Sequence, residues 1–152
     1  MQVRGEGIRK MAEGEIREMR YLPCWKQIGI SQDRYRELLH FCRQYPEWKT
    51  EANSLLGIKA IKADGLPHGN GKGDPVAAAA EKRERLMEKI EIVDECAKAI
   101  EGGAWFASII QNVCIGRPYE QMDRALMPTS DRNAYYRIRR MFFDMLDKRK
   151  TD

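Results

Sequence analysis

Arginine, asparagine and tyrosine recur near the carboxyl end of this chain at spacings that suit contact with a polyanion. Between Ser130 and Lys150 the cations are Arg132, Arg137, Arg139, Arg140, Lys148, Arg149 and Lys150, and the anions are Asp131, Asp144 and Asp147. This excess of four positive charges equals the formal net charge of the whole 152-residue chain, so the excess is concentrated here. Such a patch neutralises phosphates and releases their counterions. Arginine forks also match the edge of guanine, and asparagine matches the edge of adenine.

Other chemistries find little material. His40 and His68 are the only histidines, too few for a histidine-based metal site or a catalytic triad. Cys24, Cys42, Cys96 and Cys114 stand far apart, so zinc-finger spacing is absent. They are expected to be reduced thiols, and Cys42, Cys96 and Cys114 to be buried as small hydrophobes. The glycine-rich GNGKGD at 69–74 invites comparison with a phosphate-cradling loop, but it fails the GxxxxGK[ST] pattern and follows no strand. No catalytic residue, metal or cofactor is expected, and the chain is read as a non-enzyme.

Size and composition narrow the class further. A chain of 152 residues with 43% hydrophobic residues can bury a core without a disulfide or metal staple. It is too short for a barrel enzyme of about 250 residues. No apolar run approaches the roughly 18 residues of a membrane span. The first residues, MQVRGEGIRK, are polar and lack the core of a signal peptide, so a cytoplasmic setting is expected.

The elements that must position the basic stretch follow from caps and periodicity. Residues 1–24 allow only a weak helix through Ile8, Met11, Ile16 and Met19, because Gly5, Gly7 and Gly14 oppose it. Ser31 can cap a helix whose Tyr35, Leu38, Leu39, Cys42 and Tyr45 form one apolar stripe. Pro46 stops it and opens another helix through Trp48 and Leu55–Leu56. From Gly57 to Pro75 the glycines and prolines predict a flexible loop. Asp74-Pro75 then starts a long helix, in which Leu86, Ile90, Val93, Ala97 and Ile100 form a seven-residue repeat. Gly102-Gly103 ends it. Residues 105–113 read as a compact apolar helix, YEQMDRAL at 119–126 as a short helix after Pro118, and 127–130 as a break.

A final helix from about Asp131 to Lys148, capped by Ser130 or Asp131, completes the pattern of a helix-turn-helix. On a wheel of 100° per residue, Tyr135, Ile138, Phe142, Met145 and Leu146 gather on one side. Arg132, Asn133, Tyr136 and Arg140 fall largely opposite, with Phe143 between. One face anchors the helix and the other offers donors to duplex DNA. Arg132 and Asn133, at the amino end, are the expected base readers. Tyr136 suits a phosphate or a thymine methyl group. Arg137, Arg139 and Arg140 are expected phosphate clamps, and Tyr119, Gln121 and Arg124 lie where they could touch the backbone. The fold class is all-α, a helical bundle with a long central helix and a C-terminal helix-turn-helix. Three parts are expected: a helical unit at 1–56, a glycine-rich linker at 57–75, and the long helix with the DNA-binding unit at 76–152. The core is expected to include Tyr35, Leu38, Leu39, Leu86, Ile90, Val93, Ile100, Trp105, Ile109, Ile138, Phe142 and Leu146.

The stretches GDPVAAAAEKRERLMEKIEIVDECAKAI, IIQNVCIGRPYEQMDRAL and SDRNAYYRIRRMFFDMLDKRK resemble small phage and prophage regulators. Those are late-gene, packaging or lysis transcription activators whose carboxyl-terminal unit is similar to sigma-factor region 4. The resemblance covers about residues 31–150 and is densest after Asp74. It implies promoter-proximal binding of double-stranded DNA, contact with host RNA polymerase and no small-molecule chemistry. It also implies that Arg132, Asn133, Tyr136, Arg137, Arg139 and Arg140 form the DNA-contact set. Two other readings use the same features. A phage terminase small subunit would use the 86–100 seam for homo-oligomer assembly and the last helix for DNA. A helical protein-interaction module would present that helix to a protein partner.

Overall fold

A computed structural model of the chain describes residues 22–62 and 74–151. Six helices and several single turns carry these residues, and no strand occurs among them. Helix α1 spans Cys24–Gln27, α2 Gln32–Arg43, α3 Tyr45–Lys62, α4 Pro75–Lys98, α5 Phe106–Ile109 and α6 Arg132–Lys150. The weak helix read into the first residues, His68 and most of the glycine-rich stretch lie outside the described residues.

Local chemistry sets the helix starts. Ser31 Oγ accepts the Arg34 N–H at 3.0 Å, Asp74 accepts the Val76 N–H at 2.9 Å, and Asp131 accepts the Asn133 N–H at 3.0 Å. Each carboxylate or hydroxyl satisfies a donor that the first helical turn cannot pair internally. Pro46 sits in the first turn of α3, where its missing N–H costs no hydrogen bond. A loop is expected from Gly57, but α3 continues through it to Lys62. A single glycine costs a helix only about 1 kcal/mol relative to alanine, and the following IKAIK contains good helix formers.

One core joins the segments on either side of 63–73. It contains Leu38, Cys42, Tyr45, Trp48 and Ala52 from α2 and α3, and Leu86, Ile90, Val93, Ala97 and Ile100 from α4 and its end. The heptad seam therefore packs within the chain, chiefly on α3 and α6. The Tyr45 hydroxyl adds a polar tie, donating to Asp94 at 2.6 Å. Homo-oligomer assembly through this seam finds it already covered. From the expected core, Tyr35 and Leu39 are only half-buried.

The chain then turns sharply. Ile100 is extended, and Glu101, Gly102 and Gly103 all have positive φ. Helix α5 follows and widens into a π turn at Ile110–Cys114, with the Ile115 N–H reaching back to the Ile110 carbonyl at 2.9 Å. Gly116, at φ +86, releases the chain from it, and a Cβ there would strike the Arg43 guanidinium.

Residues 119–126 correct the sequence reading. They form two single 3-10 turns, Tyr119–Gln121 and Arg124–Leu126, and no continuous helix. Met122, Asp123 and Met127 are extended, and Pro128 favours that shape in the residue before it. Buried Met122 and Met127 pin the segment to the core, and the Gln111 side chain accepts the Asp123 N–H at 3.2 Å. The expected short helix ahead of α6 is thus replaced by an anchored, irregular strap.

Candidate nucleic-acid interface

Helix α6 is held by its apolar face. Tyr135, Ile138, Phe142, Phe143 and Leu146 are fully buried. A face this closely covered fixes the rotation of the helix, so the polar side chains between these positions have a set direction.

The opposite face forms the floor of an open groove of about 1110 Å³. Arg132, Asn133, Tyr136, Arg137, Arg139 and Arg140 line it, with Met141 and Asp144 at its far end. Its other wall is the segment from Leu22 to Ile28, including α1, with Tyr35 beneath. The Pro23 carbonyl accepts the N–H groups of Lys26 and Gln27, and the Gln27 amide donates to the Leu22 carbonyl at 2.6 Å, which folds this short wall on itself.

Arg132 is cradled rather than extended. Its guanidinium lies 5.5 Å from the Tyr119 ring centre and 5.4 Å from that of Tyr136, and it donates to Glu120 Oε1 at 3.0 Å. More than half of this side chain remains exposed. Arg137, also exposed, faces Glu101 Oε1 at 3.5 Å. Asn133 is exposed, while Tyr136 and Arg140 are half-buried in the groove. No carboxylate pairs with Arg140 among the described residues.

Arg139 departs from its expected role as a phosphate clamp. Its Nε donates to Asn112 Oδ1 at 3.1 Å and its Nη2 to the Tyr35 hydroxyl at 2.7 Å. Its guanidinium also stacks 4.9 Å from the Phe143 ring centre. Desolvation opposes its charge, but the Tyr35 oxygen and neighbouring polar groups outweigh that and hold its pKa above the ordinary value. The physical reason lies in the spacing. Tyr135, Arg139 and Phe143 step by four, so Arg139 shares a stripe with two core residues. Its donors tie α6 to α2 and to the π turn.

Three other candidates, unlike Arg139, lie outside the groove lining. Tyr119 is buried, and its hydroxyl donates to the Ser130 carbonyl at 2.9 Å, so it anchors the strap instead of meeting a backbone phosphate. Gln121 and Arg124 are exposed but line no part of the groove.

Sequence reasoning missed four contributors. Asn112 accepts the Tyr135 hydroxyl at 2.6 Å as well as Arg139, and its amide donates to the Arg117 carbonyl at 2.9 Å. The polar pair Gln111-Asn112 inside the apolar run IIQNVC is the signal that could have exposed this hub. Glu101 and Glu120 are the others, with Cys24 on the wall. Burial raises the Cys24 pKa despite the opposing charges of Arg139 and Arg140, which keeps it a thiol. Cys42 is likewise raised, by its contact with Cys114 and by burial. All four cysteines are free. Among the described residues no cluster of three or more His, Cys, Asp and Glu could hold a metal, and no helix is long and apolar enough to cross a membrane.

Set against known protein families, curated proteins and solved structures, the chain matches none of them.

Proposed function

We propose that this chain is a sequence-specific, duplex-DNA-binding transcription regulator of the phage late-gene type, acting beside host RNA polymerase. The supporting observation is the division of α6 into a fully buried apolar face and a groove-lining face that carries Arg132, Asn133, Tyr136, Arg137 and Arg140 together. Arg132 and Asn133 sit at the amino end, where a helix entering a major groove reaches deepest. Arg137 and Arg140 follow along the same face as phosphate contacts. Asp131 already caps the first turn, so phosphate recognition falls to the side chains and not to the free helix end. The docking unit is α6 with the strap before it, not a pair of regular helices.

The test is duplex binding as a function of salt. Each phosphate contact contributes a slope of about 0.9 in log affinity against log salt. Replacing Arg132, Arg137 and Arg140 together by alanine should lower affinity about 100-fold and flatten the slope by about 2–3. The melting temperature should hold. Salt-independent binding, or binding unaltered in the triple variant, contradicts the reading.

A further inference from the structure

The two exposed arginines of the groove are each held by a carboxylate from another element. Glu120, on the strap, accepts from Arg132. Glu101, at the turn after α4, faces Arg137. Both pairs stand in water, with side chains between 49% and 64% exposed. Pairs this exposed do little for a fold.

Glu101 makes the point more sharply. Its φ is +48, a left-handed conformation that costs a residue with a Cβ and suits glycine. Two glycines follow it in the same turn. Its Oε2 accepts the indole N–H of buried Trp105 at 2.7 Å, which explains why an acceptor is needed. An amide oxygen could also accept from that indole, though more weakly, so the bond does not by itself require a charge. The other carboxylate oxygen faces Arg137 at 3.5 Å.

We propose that Glu120 and Glu101 are anionic guards on the DNA-contacting arginines that compete with the DNA for them, an inference that rests on the reading of the groove as a DNA interface. Any duplex must displace a carboxylate from Arg132 and from Arg137 to engage them. A favoured site, whose base edges meet Arg132 and Asn133, displaces the same carboxylates, so the cost is common to both kinds of duplex. The guards therefore lower affinity for duplex in general and leave the ratio between sites nearly unchanged.

The experiment uses the full chain, a random-sequence duplex and a duplex enriched from a random pool by repeated binding. Replacing Glu120 by Gln should raise affinity for the random duplex about two- to five-fold, the range set by an exposed ion pair. Affinity for the enriched duplex should rise by a similar factor, so discrimination holds. Glu101→Gln, which keeps an acceptor for Trp105, should act the same way. A general change in surface charge would act without Arg132, so the decisive arm repeats Glu120→Gln in an Arg132→Ala background. There the gain should vanish. A gain that persists in that background, or no gain at all in the parent, overturns the guard role while leaving DNA binding in place. A parent protein that binds neither duplex at low salt overturns the functional reading and this inference together.

Discussion

Between Arg132 and Arg140, α6 presents Arg132, Arg137 and Arg140 to an open groove. Between Asp144 and Lys150 the same helix carries three further cations, and none of them lines the groove. Lys148 donates to Asp144 at 3.1 Å, Arg149 to Glu95 at 3.0 Å, and Lys150 lies 3.8 Å from the Phe41 ring centre. Asp147 in this half grips Arg34 of α2 at 2.7 Å. Counting cations along the sequence does not separate the two halves. The fold does, because α2 and α4 pack against the carboxyl half, while the amino half faces the short wall at 22–28. Whether a cation can meet a ligand is decided by what the neighbouring element offers it, not by the density of cations.

The largest effect should come from the face that both halves share. Phe142 is fully buried on the core side of α6. Replacing it by alanine should cost about 3–5 kcal/mol, the usual penalty for deleting a buried aromatic. Denaturant unfolding should show this as a lowered midpoint, while alanine at Arg132, Arg137 or Arg140 should move stability by less than about 0.5 kcal/mol. If the groove arginines destabilised as Phe142 does, the division of α6 into an anchoring and a presenting face would fail.

Arg139 sharpens the comparison, since it lies in the amino half but behaves like the carboxyl half. Its replacement by alanine removes one of the two donors to Asn112 Oδ1 and leaves the half-buried Tyr35 hydroxyl without its charged partner, which should cost about 2–3 kcal/mol. Lysine should restore less than half of that, because one ammonium cannot reproduce a fork that spans two acceptors. A melting temperature unchanged in Arg139→Ala would return this residue to the set of free cations.

The sequence reading located what local chemistry determines. Ser31 and Asp74 cap where their short polar side chains predict, and of the two candidates Ser130 and Asp131 it is Asp131 that caps α6. The seam from Leu86 to Ile100 is buried as its repeat requires. What it missed depends on partners distant in sequence. The strap at 119–126 lacks a helix because Gln111 and the core claim its backbone and its methionines. The wall at 22–28 is one short turn with no periodicity to betray it. Glu101 and Glu120 reach their arginines only after the chain has turned back. Arg139 was within reach, given its four-residue steps to Tyr135 and Phe143.

The smallest effect separates two ion pairs of different surroundings. Arg34 and Asp147 are each only 24% exposed, and Arg34 also donates to the Asp147 carbonyl at 3.3 Å. Arg137 and Glu101 stand largely in water and sit farther apart. Water screens the second pair, whereas the first is partly desolvated and holds two directed hydrogen bonds. A double-mutant cycle on Arg34 and Asp147 should give a coupling of about 1 kcal/mol, above the range of most exposed pairs. The same cycle on Arg137 and Glu101, using Glu101→Gln, should give less than about 0.5 kcal/mol. Raising salt should erode the second coupling before the first. Equal couplings would mean that the carboxyl half of α6 is no more firmly tied than the amino half, and the contrast between them would rest on geometry without energy.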